Sequence, residues 1–190
     1  MHDANTFRTT GRLGVIKNMT LGELKELDCG DGEKIPTLEE VIKITKNKIK
    51  LNIEVKVRGI AEELVEKIEN EGILESVIIS SFKHDVLLRV KKLNPHIKLA
   101  SLEPSRVGWL NSCISRKKLL TDAIENNFFA INPFHVLVTQ KFINKAHKNN
   151  LKVFPWTVNS DAAIRKLIKM GIDGIITNKI YRVKEVLNQQ

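Results

Sequence analysis

Leu51-Asn52-Ile53-Glu54-Val55-Lys56 opens the stretch of sequence that decides the fold. Its apolar and polar residues alternate with a period of two, which predicts a β-strand. Residues 60–70 then repeat apolar side chains on one helical face, and Gly72 is placed to end that helix. The apolar, β-branched run Val77-Ile78-Ile79-Ser80-Ser81 follows and predicts a strand buried on both faces. Residues 51–81 therefore predict a strand, a helix and a second strand.

The same alternation continues to the end of the chain. The pattern predicts further strands over residues 98–102, 128–131, 152–157 and 174–177, which makes six in all. It predicts helices over residues 85–93 and 116–126, after Thr139, after Ser160, and near the C-terminus. Upstream, Thr20 and Thr37 each stand three residues before a glutamate, the spacing of a capping box at a helix start.

Alternating helices and strands predict a parallel sheet, either doubly wound or closed into a β/α barrel. None of the predicted strands is followed by the glycine-rich fingerprint of a dinucleotide-binding site. A complete barrel has eight strands and typically ~250 residues. With 190 residues and six predicted strands, we expect one domain, residues 1–190, folded as a TIM-type β/α barrel that lacks its first two strands.

Composition excludes several classes of protein. The 31 Lys and Arg against 22 Asp and Glu give a formal charge of +9. Lysines are spread along the chain and aromatic residues make up only 5%, so solvated helix faces are favoured over a nucleic-acid surface. No apolar run reaches the ~18 residues of a membrane span, and the first residues lack a signal-peptide pattern, so we expect a cytoplasmic protein. Cys29 and Cys113 are expected to be reduced structural thiols.

Glu54 and Lys56 are the first candidates for chemistry. Strand alternation places both on the face opposite Val55, at the carboxyl end where barrel enzymes carry their sites. A carboxylate can bind a hard cation, and an ammonium can neutralise a phosphate. An ion pair that fills the barrel interior accounts for the same spacing equally well.

His2 and Trp156 are further candidates. A histidine can transfer protons near neutral pH, and Asp3 beside it could orient the ring, although a residue so near a terminus is more often frayed. Trp156, at the end of a predicted strand, could wall a substrate pocket, although core packing is the commoner role. We assign no role to the other histidines, which are His84, His96, His135 and His147.

A series of motifs resembles, in order and over essentially the whole chain, the glycerophosphodiester phosphodiesterase family. They are His2-Asp3, Thr6-Phe7-Arg8-Thr9-Thr10-Gly11, Met19-Thr20-Leu21-Gly22-Glu23-Leu24-Lys25, Ile35-Pro36-Thr37-Leu38-Glu39-Glu40-Val41, Asn52-Ile53-Glu54-Val55-Lys56, Ile79-Ser80-Ser81-Phe82, Trp156-Thr157-Val158-Asn159 and Gly171-Ile172-Asp173-Gly174-Ile175-Ile176-Thr177-Asn178.

The resemblance implies a β/α barrel that hydrolyses glycerophosphodiesters to glycerol 3-phosphate and an alcohol with a divalent cation, Mg²⁺ or Ca²⁺. It implies that His2 is one of two histidines acting as general acid and base, and that Glu54 is a metal ligand. It further implies that Lys56 lies at the phosphate and that Trp156 lines the substrate pocket.

The resemblance also implies that two strands of the family's fold are missing from this sequence. Members of the family begin with a strand ending in His-Arg-Gly and a strand bearing Glu-x-Asp, and this sequence starts at the motif that follows them. We therefore expect weak cation binding, little or no hydrolysis by this chain, and self-association through open sheet edges. Either the complete enzyme begins about 50 residues upstream of Met1, or the chain is a remnant that binds a partner.

Two other classes have little support. Only the +9 charge suggests a nucleic-acid-binding protein. A sugar-phosphate isomerase on the same fold would need an acid/base pair for a carbonyl substrate, and the sequence offers none.

Overall fold

The computed structural model describes residues 2–104 and 112–189. The chain forms two compact units, Met1–Ile49 and Lys50–Gln190. That residues 1–190 make one domain stays a prediction.

The first unit contains three helices, α1 (Phe7–Thr10), α2 (Leu21–Glu26) and α3 (Leu38–Thr45). Both predicted capping boxes are confirmed: the Thr20 and Thr37 hydroxyls accept the backbone N–H groups of Glu23 and Glu40, whose carboxylates accept the threonine N–H groups in return. Each box satisfies two backbone donors that a helix start otherwise leaves unpaired. Cys29, also in this unit, is a free thiol, and the prediction for Cys113 falls on a side chain outside the described part of the chain.

The second unit contains one parallel sheet, with its strands in the order β1-β2-β3-β4-β5. The strands are β1 (Leu51–Glu54), β2 (Val77–Ser81), β3 (Lys98–Glu103), β4 (Ala130–Pro133) and β5 (Lys152–Val153). The helices are α4 (Ala61–Asn70), α5 (His84–Leu93), α6 (Ser112–Glu125), α7 (Gln140–Lys148), α8 (Asp161–Lys169) and α9 (Ile180–Asn188). Each strand is followed by a helix, and the sheet does not close, as expected for part of a β/α barrel.

Apolar faces of the helices cover one side of this sheet. Val86, Leu87 and Val90 of α5 are buried, as are Phe142 and Ile143 of α7. Such stripes at a spacing of three and four residues hold an amphipathic helix on a sheet. All strand carboxyl ends then lie at one edge, because the strands are parallel.

The prediction of six strands is wrong, because the described residues contain five. Residues 174–177 lie beside the end of β5 and its continuation, where Asp173 N–H donates to Val153 O and Ile176 N–H to Pro155 O. A regular parallel ladder needs evenly spaced donors two residues apart, and here they are three apart. The predicted strand over residues 152–157 is likewise shortened to Lys152–Val153. The Phe154 and Trp156 N–H groups still donate to Ile131 O and Pro133 O, but Pro133 of β4 has no N–H to donate in return, so the regular ladder ends there.

Within residues 2–104 and 112–189, the structure contains no helix that is both long enough and apolar enough to cross a membrane. The cytoplasmic location stays a prediction.

Candidate active site

Glu54 and Lys56 lie at the carboxyl edge of the sheet, as the sequence predicted. Glu54 is the last residue of β1, and Lys56 follows two residues later. Along this strand Asn52 and Glu54 are exposed, whereas Val55 is buried. The alternation therefore separates the polar side chains from the apolar ones that pack in the core.

The two side chains form a loose ion pair. The Lys56 ammonium lies 3.9 Å from Glu54 Oε2, and the side chains are 43% and 31% exposed. The pair is therefore open to solvent, and because the described sheet does not close, this exposure is compatible with both a ligand site and an ion pair inside a complete barrel. Solvent around both groups keeps their mutual attraction small.

The end of β2 fixes the backbone that carries this pair. The Ser81 hydroxyl donates to Val55 O at 2.6 Å, and the Lys83 ammonium donates to Lys56 O, also at 2.6 Å. Lys83 thus brings a second positive charge next to Lys56. The sequence reasoning missed Lys83, although it follows a strand end in the same way as Lys56 follows β1.

Trp156 lies at the same edge within an aromatic cluster. Its ring meets Phe82 edge-on with centroids 5.4 Å apart and Phe134 at 5.3 Å. Its Nε1–H donates to Asn132 O at 2.8 Å, which fixes the indole plane. Trp156 is half-buried, so part of the indole packs against protein and part faces outward.

The contact between Phe82 and Trp156 shows that the sheet is curled. Phe82 follows β2 and Trp156 follows β5, and β3 and β4 lie between those strands. In a flat sheet three strand spacings would separate the two residues by about 14 Å. Their rings touch because the carboxyl edge bends around a concave face, which is the arrangement of a barrel wall.

A second polar pair lies just behind this edge. His84 Nε2, at the start of α5, is 3.1 Å from Oε1 of Glu103, the fully buried last residue of β3. Burial lowers the pKa of His84, but the Glu103 carboxylate, the Leu102 backbone and Asp122 together raise the pKa by more, and the net shift is upward. The sequence assigned His84 no role, and the structure shows that it joins α5 to β3.

His2 belongs to the first unit, where Asp3 holds its ring. His2 Nδ1 is 2.9 Å from Asp3 Oδ1, and Arg8 Nε donates to Asp3 Oδ2 at 2.6 Å. The hydrogen bond from Arg8, followed by that from His2, lowers the pKa of Asp3 to about 2. A carboxylate that stays ionised can orient a histidine ring, and the His2 side chain is 76% exposed.

The donors that the structure describes form at most part of a divalent cation site. Among the residues that the structure describes, no three His, Cys, Asp or Glu side chains converge. Glu54 offers one carboxylate with an ammonium beside it, whereas Mg²⁺ and Ca²⁺ take roughly six or more oxygen ligands. The predicted role of Glu54 as a metal ligand therefore stays a prediction.

A parallel β/α sheet with a carboxylate, two ammonium groups and an aromatic wall at its carboxyl edge has the arrangement in which β/α-barrel enzymes carry their sites. The sequence agrees, because residues 1–182 match the glycerophosphoryl diester phosphodiesterase family. The chain belongs to this family.

Individual relatives show how much of the family fold is present. The chain is 36% identical to the glycerophosphodiester phosphodiesterase of Caldanaerobacter subterraneus, with 94% of this chain and 75% of that protein aligned. It is 31% identical to the Bacillus altitudinis enzyme of the same name, with 94% and 76% aligned. An Oleispira antarctica phosphodiesterase, solved in complex with the product sn-glycerol 3-phosphate, superposes with a TM-score of 0.80 at 23% identity, covering 99% of this chain and 78% of that one.

Proposed function

We propose that this chain carries the site of a phosphoric diester hydrolase that cleaves glycerophosphodiesters, such as deacylated phospholipid head groups, to glycerol 3-phosphate and an alcohol. The observation that carries the proposal is the exposed pair of Glu54 and Lys56 at the carboxyl edge of the sheet. The membership of the family supports the reaction class.

Lys56 is the proposed phosphate-binding residue. The Lys83 ammonium lies next to it, because it donates to the Lys56 backbone carbonyl. Together the two ammonium groups would stabilise the negative charge that grows on the phosphoryl oxygens during hydrolysis. Trp156 would cover the carbon face of the glycerol unit, because the exposed part of an indole is an apolar surface.

His2 is the proposed proton-transfer residue. The departing alcohol leaves as an alkoxide unless it receives a proton, and an imidazole held by Asp3 can supply one near neutral pH. The attacking water must lose a proton to a base, so the reaction needs two proton transfers in all.

Glu54 is the proposed ligand of a divalent cation, Mg²⁺ or Ca²⁺. One carboxylate binds such ions weakly, so we propose that hydrolysis by these 190 residues is impaired. No step of the reaction is assigned to the cation.

The alternative is a remnant that works as an interaction module. Within the described residues the sheet runs from β1 at one side to β5 at the other without closing. Open edges offer unpaired backbone groups to another chain, so self-association through these edges belongs to this alternative.

Binding and turnover test the proposal separately. We expect glycerol 3-phosphate to bind in a calorimetric titration, and Lys56→Met to weaken that binding by about tenfold or more, since a hydrogen-bonded charge is lost. Lys92→Met, on the exposed side of α5, is the matched control and should bind as the wild type does. Equal binding by both variants would show that Lys56 is not at the phosphate.

Turnover is measured as glycerol 3-phosphate released from glycerophosphocholine with Mg²⁺ or Ca²⁺. We expect a rate near the background. Robust metal-dependent hydrolysis that Glu54→Gln abolishes would overturn the proposed impairment while confirming the role of Glu54.

A further inference from the structure

The positive charge of the protein is concentrated in its last third. Residues 134–190 contain ten Lys and Arg against three Asp and Glu, so they carry a net +7 of the total +9. The cations are Lys141, Lys145, Lys148, Lys152, Arg165, Lys166, Lys169, Lys179, Arg182 and Lys184, and the anions are Asp161, Asp173 and Glu185. The +9 charge is therefore not an even background of solvated lysines.

Few of these cations are neutralised. Lys152 pairs with Asp173, and Arg182 pairs with Asp161 and Glu185. All three anions of the region are thereby used. Six lysines within α7, α8 and α9 make no ion pair with any residue in the described ranges: Lys141, Lys145, Lys148, Lys166, Lys169 and Lys184.

The unpaired lysines lie on the outer faces of α7, α8 and α9. In α7, Lys141, Lys145 and Lys148 are exposed and lie at the spacing of one helical stripe, away from the buried Phe142 and Ile143. The three helices pack on a shared core through Ile143, Ile164, Leu167 and Val186. They therefore form one layer, which we call the basic layer (α7, α8 and α9).

An apolar surface accompanies this charge. A groove of about 300 Å³ is lined by residues of α8, α9 and the segment between them, among them Ile172, Ile175 and Leu187. Two of the side chains that line it, Ile180 and Leu187, are 64% and 51% exposed. Lys184 lies in the wall of the same groove, so cationic and apolar side chains meet at one place.

We propose that the basic layer docks on an anionic lipid bilayer. Lysine ammonium groups gain electrostatic energy next to anionic head groups, and exposed Ile and Leu side chains gain by entering the boundary between head groups and acyl chains. A nucleic acid would satisfy the lysines but would leave Ile180 and Leu187 in water, so the apolar groove favours a lipid surface. The proposal concerns a surface outside the carboxyl edge of the sheet and does not depend on hydrolysis.

Vesicle sedimentation tests the proposal. The full chain is mixed with vesicles of phosphatidylcholine and phosphatidylglycerol, or of phosphatidylcholine alone, and the bound fraction is measured. We expect binding to the anionic vesicles and release at high salt. Each lysine near such a surface contributes roughly fivefold to affinity, so Lys141→Glu, Lys145→Glu and Lys148→Glu together should weaken binding by about tenfold or more.

The matched control reverses Lys50, Lys67 and Lys92, which belong to the second unit and lie outside the basic layer. It has the same net charge as the α7 variant, and Lys67 and Lys92, like Lys145 and Lys148, stand in the last turn of a helix. We expect the control to bind within about twofold of the wild type, because screening confines the effect to charges near the bilayer. Circular dichroism verifies that both variants fold. If the α7 variant does not fold, Lys141, Lys145 and Lys148 are changed to Gln instead of Glu.

A second variant, Ile180→Ser with Leu187→Ser, tests the apolar part and should also weaken binding to anionic vesicles. Equal loss in the α7 variant and its control would overturn the proposal, since net charge alone would then explain binding. Tight binding to generic duplex DNA without binding to vesicles would overturn it in favour of a nucleic-acid surface.

Discussion

Asp173 holds three groups together at the amino end of β5, and its replacement by alanine should destabilise the second unit. Its Oδ2 lies 2.8 Å from His147 Nε2 of α7 and accepts the Val153 N–H at 2.9 Å, while its Oδ1 lies 2.8 Å from Lys152 Nζ. The side chain is only 15% exposed. One carboxylate thus ties α7 and β5 to the segment over residues 174–177.

The three contacts differ in energy. Val153 is fully buried, and an unpaired backbone N–H there costs about 1–3 kcal/mol. The His147 and Lys152 side chains are 40% and 50% exposed, so solvent screens their pairs and each contributes about 0.5 kcal/mol. Asp173→Ala should therefore lower the free energy of unfolding by about 2–4 kcal/mol. Asp173→Asn keeps an acceptor for the Val153 N–H, so we expect it to lower the free energy of unfolding by only about 1–2 kcal/mol.

Urea unfolding followed by tryptophan fluorescence measures these differences. Asp161→Asn is the matched control, because Asp161 faces Arg182 at 3.6 Å on an exposed surface, and we expect a change below about 0.5 kcal/mol. A loss for Asp173→Ala no larger than that of the control would refute the reasoning.

The dependence on pH gives an independent check. Burial raises the pKa of Asp173, but the hydrogen bonds from Lys152, Val153 and His147 lower it by more, so it lies below its ordinary value of 3.8. Because folding lowers the pKa of Asp173, its ionised carboxylate stabilises the folded state above pH 3.8. This stabilisation is lost as the pH falls through the lower pKa that Asp173 has in the folded state. The gap between the wild type and Asp173→Asn should therefore close in acid, and a constant gap would contradict the role of the charge.

The remaining predictions concern packing and the buried histidine. Gly174→Ala would place a Cβ 2.9 Å from a ring carbon of Phe154 and should lower the free energy of unfolding in urea by about 1–3 kcal/mol. The control is Gly22→Ala, whose Cβ would meet nothing closer than 3.9 Å and which should be neutral or stabilising. Equal effects of the two substitutions would contradict the packing argument. The pKa of His84 is raised by Glu103 against the effect of burial, so their pair contributes stability fully below pH 6.5 and loses it as the pH rises through the raised pKa. His84→Gln should thus destabilise the protein more at pH 5.5 than at pH 9, which thermal melts at the two pH values measure.

Local patterns predicted much of the fold. The capping boxes at Thr20 and Thr37 depend on four consecutive residues and formed as expected. The alternation along residues 51–56 set which side chains of β1 are exposed, so strand periodicity was enough to place Glu54 and Lys56 at the sheet edge. These features are readable because the interacting groups are neighbours along the chain.

Features that depend on distant residues were missed or misjudged. Residues 174–177 read as a sixth strand, but their backbone meets β5 with an irregular spacing of donors. The contacts of Lys83 and His84 were missed, because their partners, Lys56 O and Glu103, are remote in sequence. The aromatic cluster around Trp156 exists only because the sheet curls and brings Phe82 within reach.

The sequence by itself determined the family, the alternation of helices and strands, and the position of Glu54 and Lys56, since each follows from local periodicity or from motifs in a fixed order. Only the tertiary structure decided which charges meet. It showed that Glu54 and Lys56 are open to solvent, that Asp173 joins three elements, and that the unpaired lysines of α7, α8 and α9 share one layer with an apolar groove. The physical reason is that the energy of a charge depends on its neighbours and its exposure, and packing fixes both.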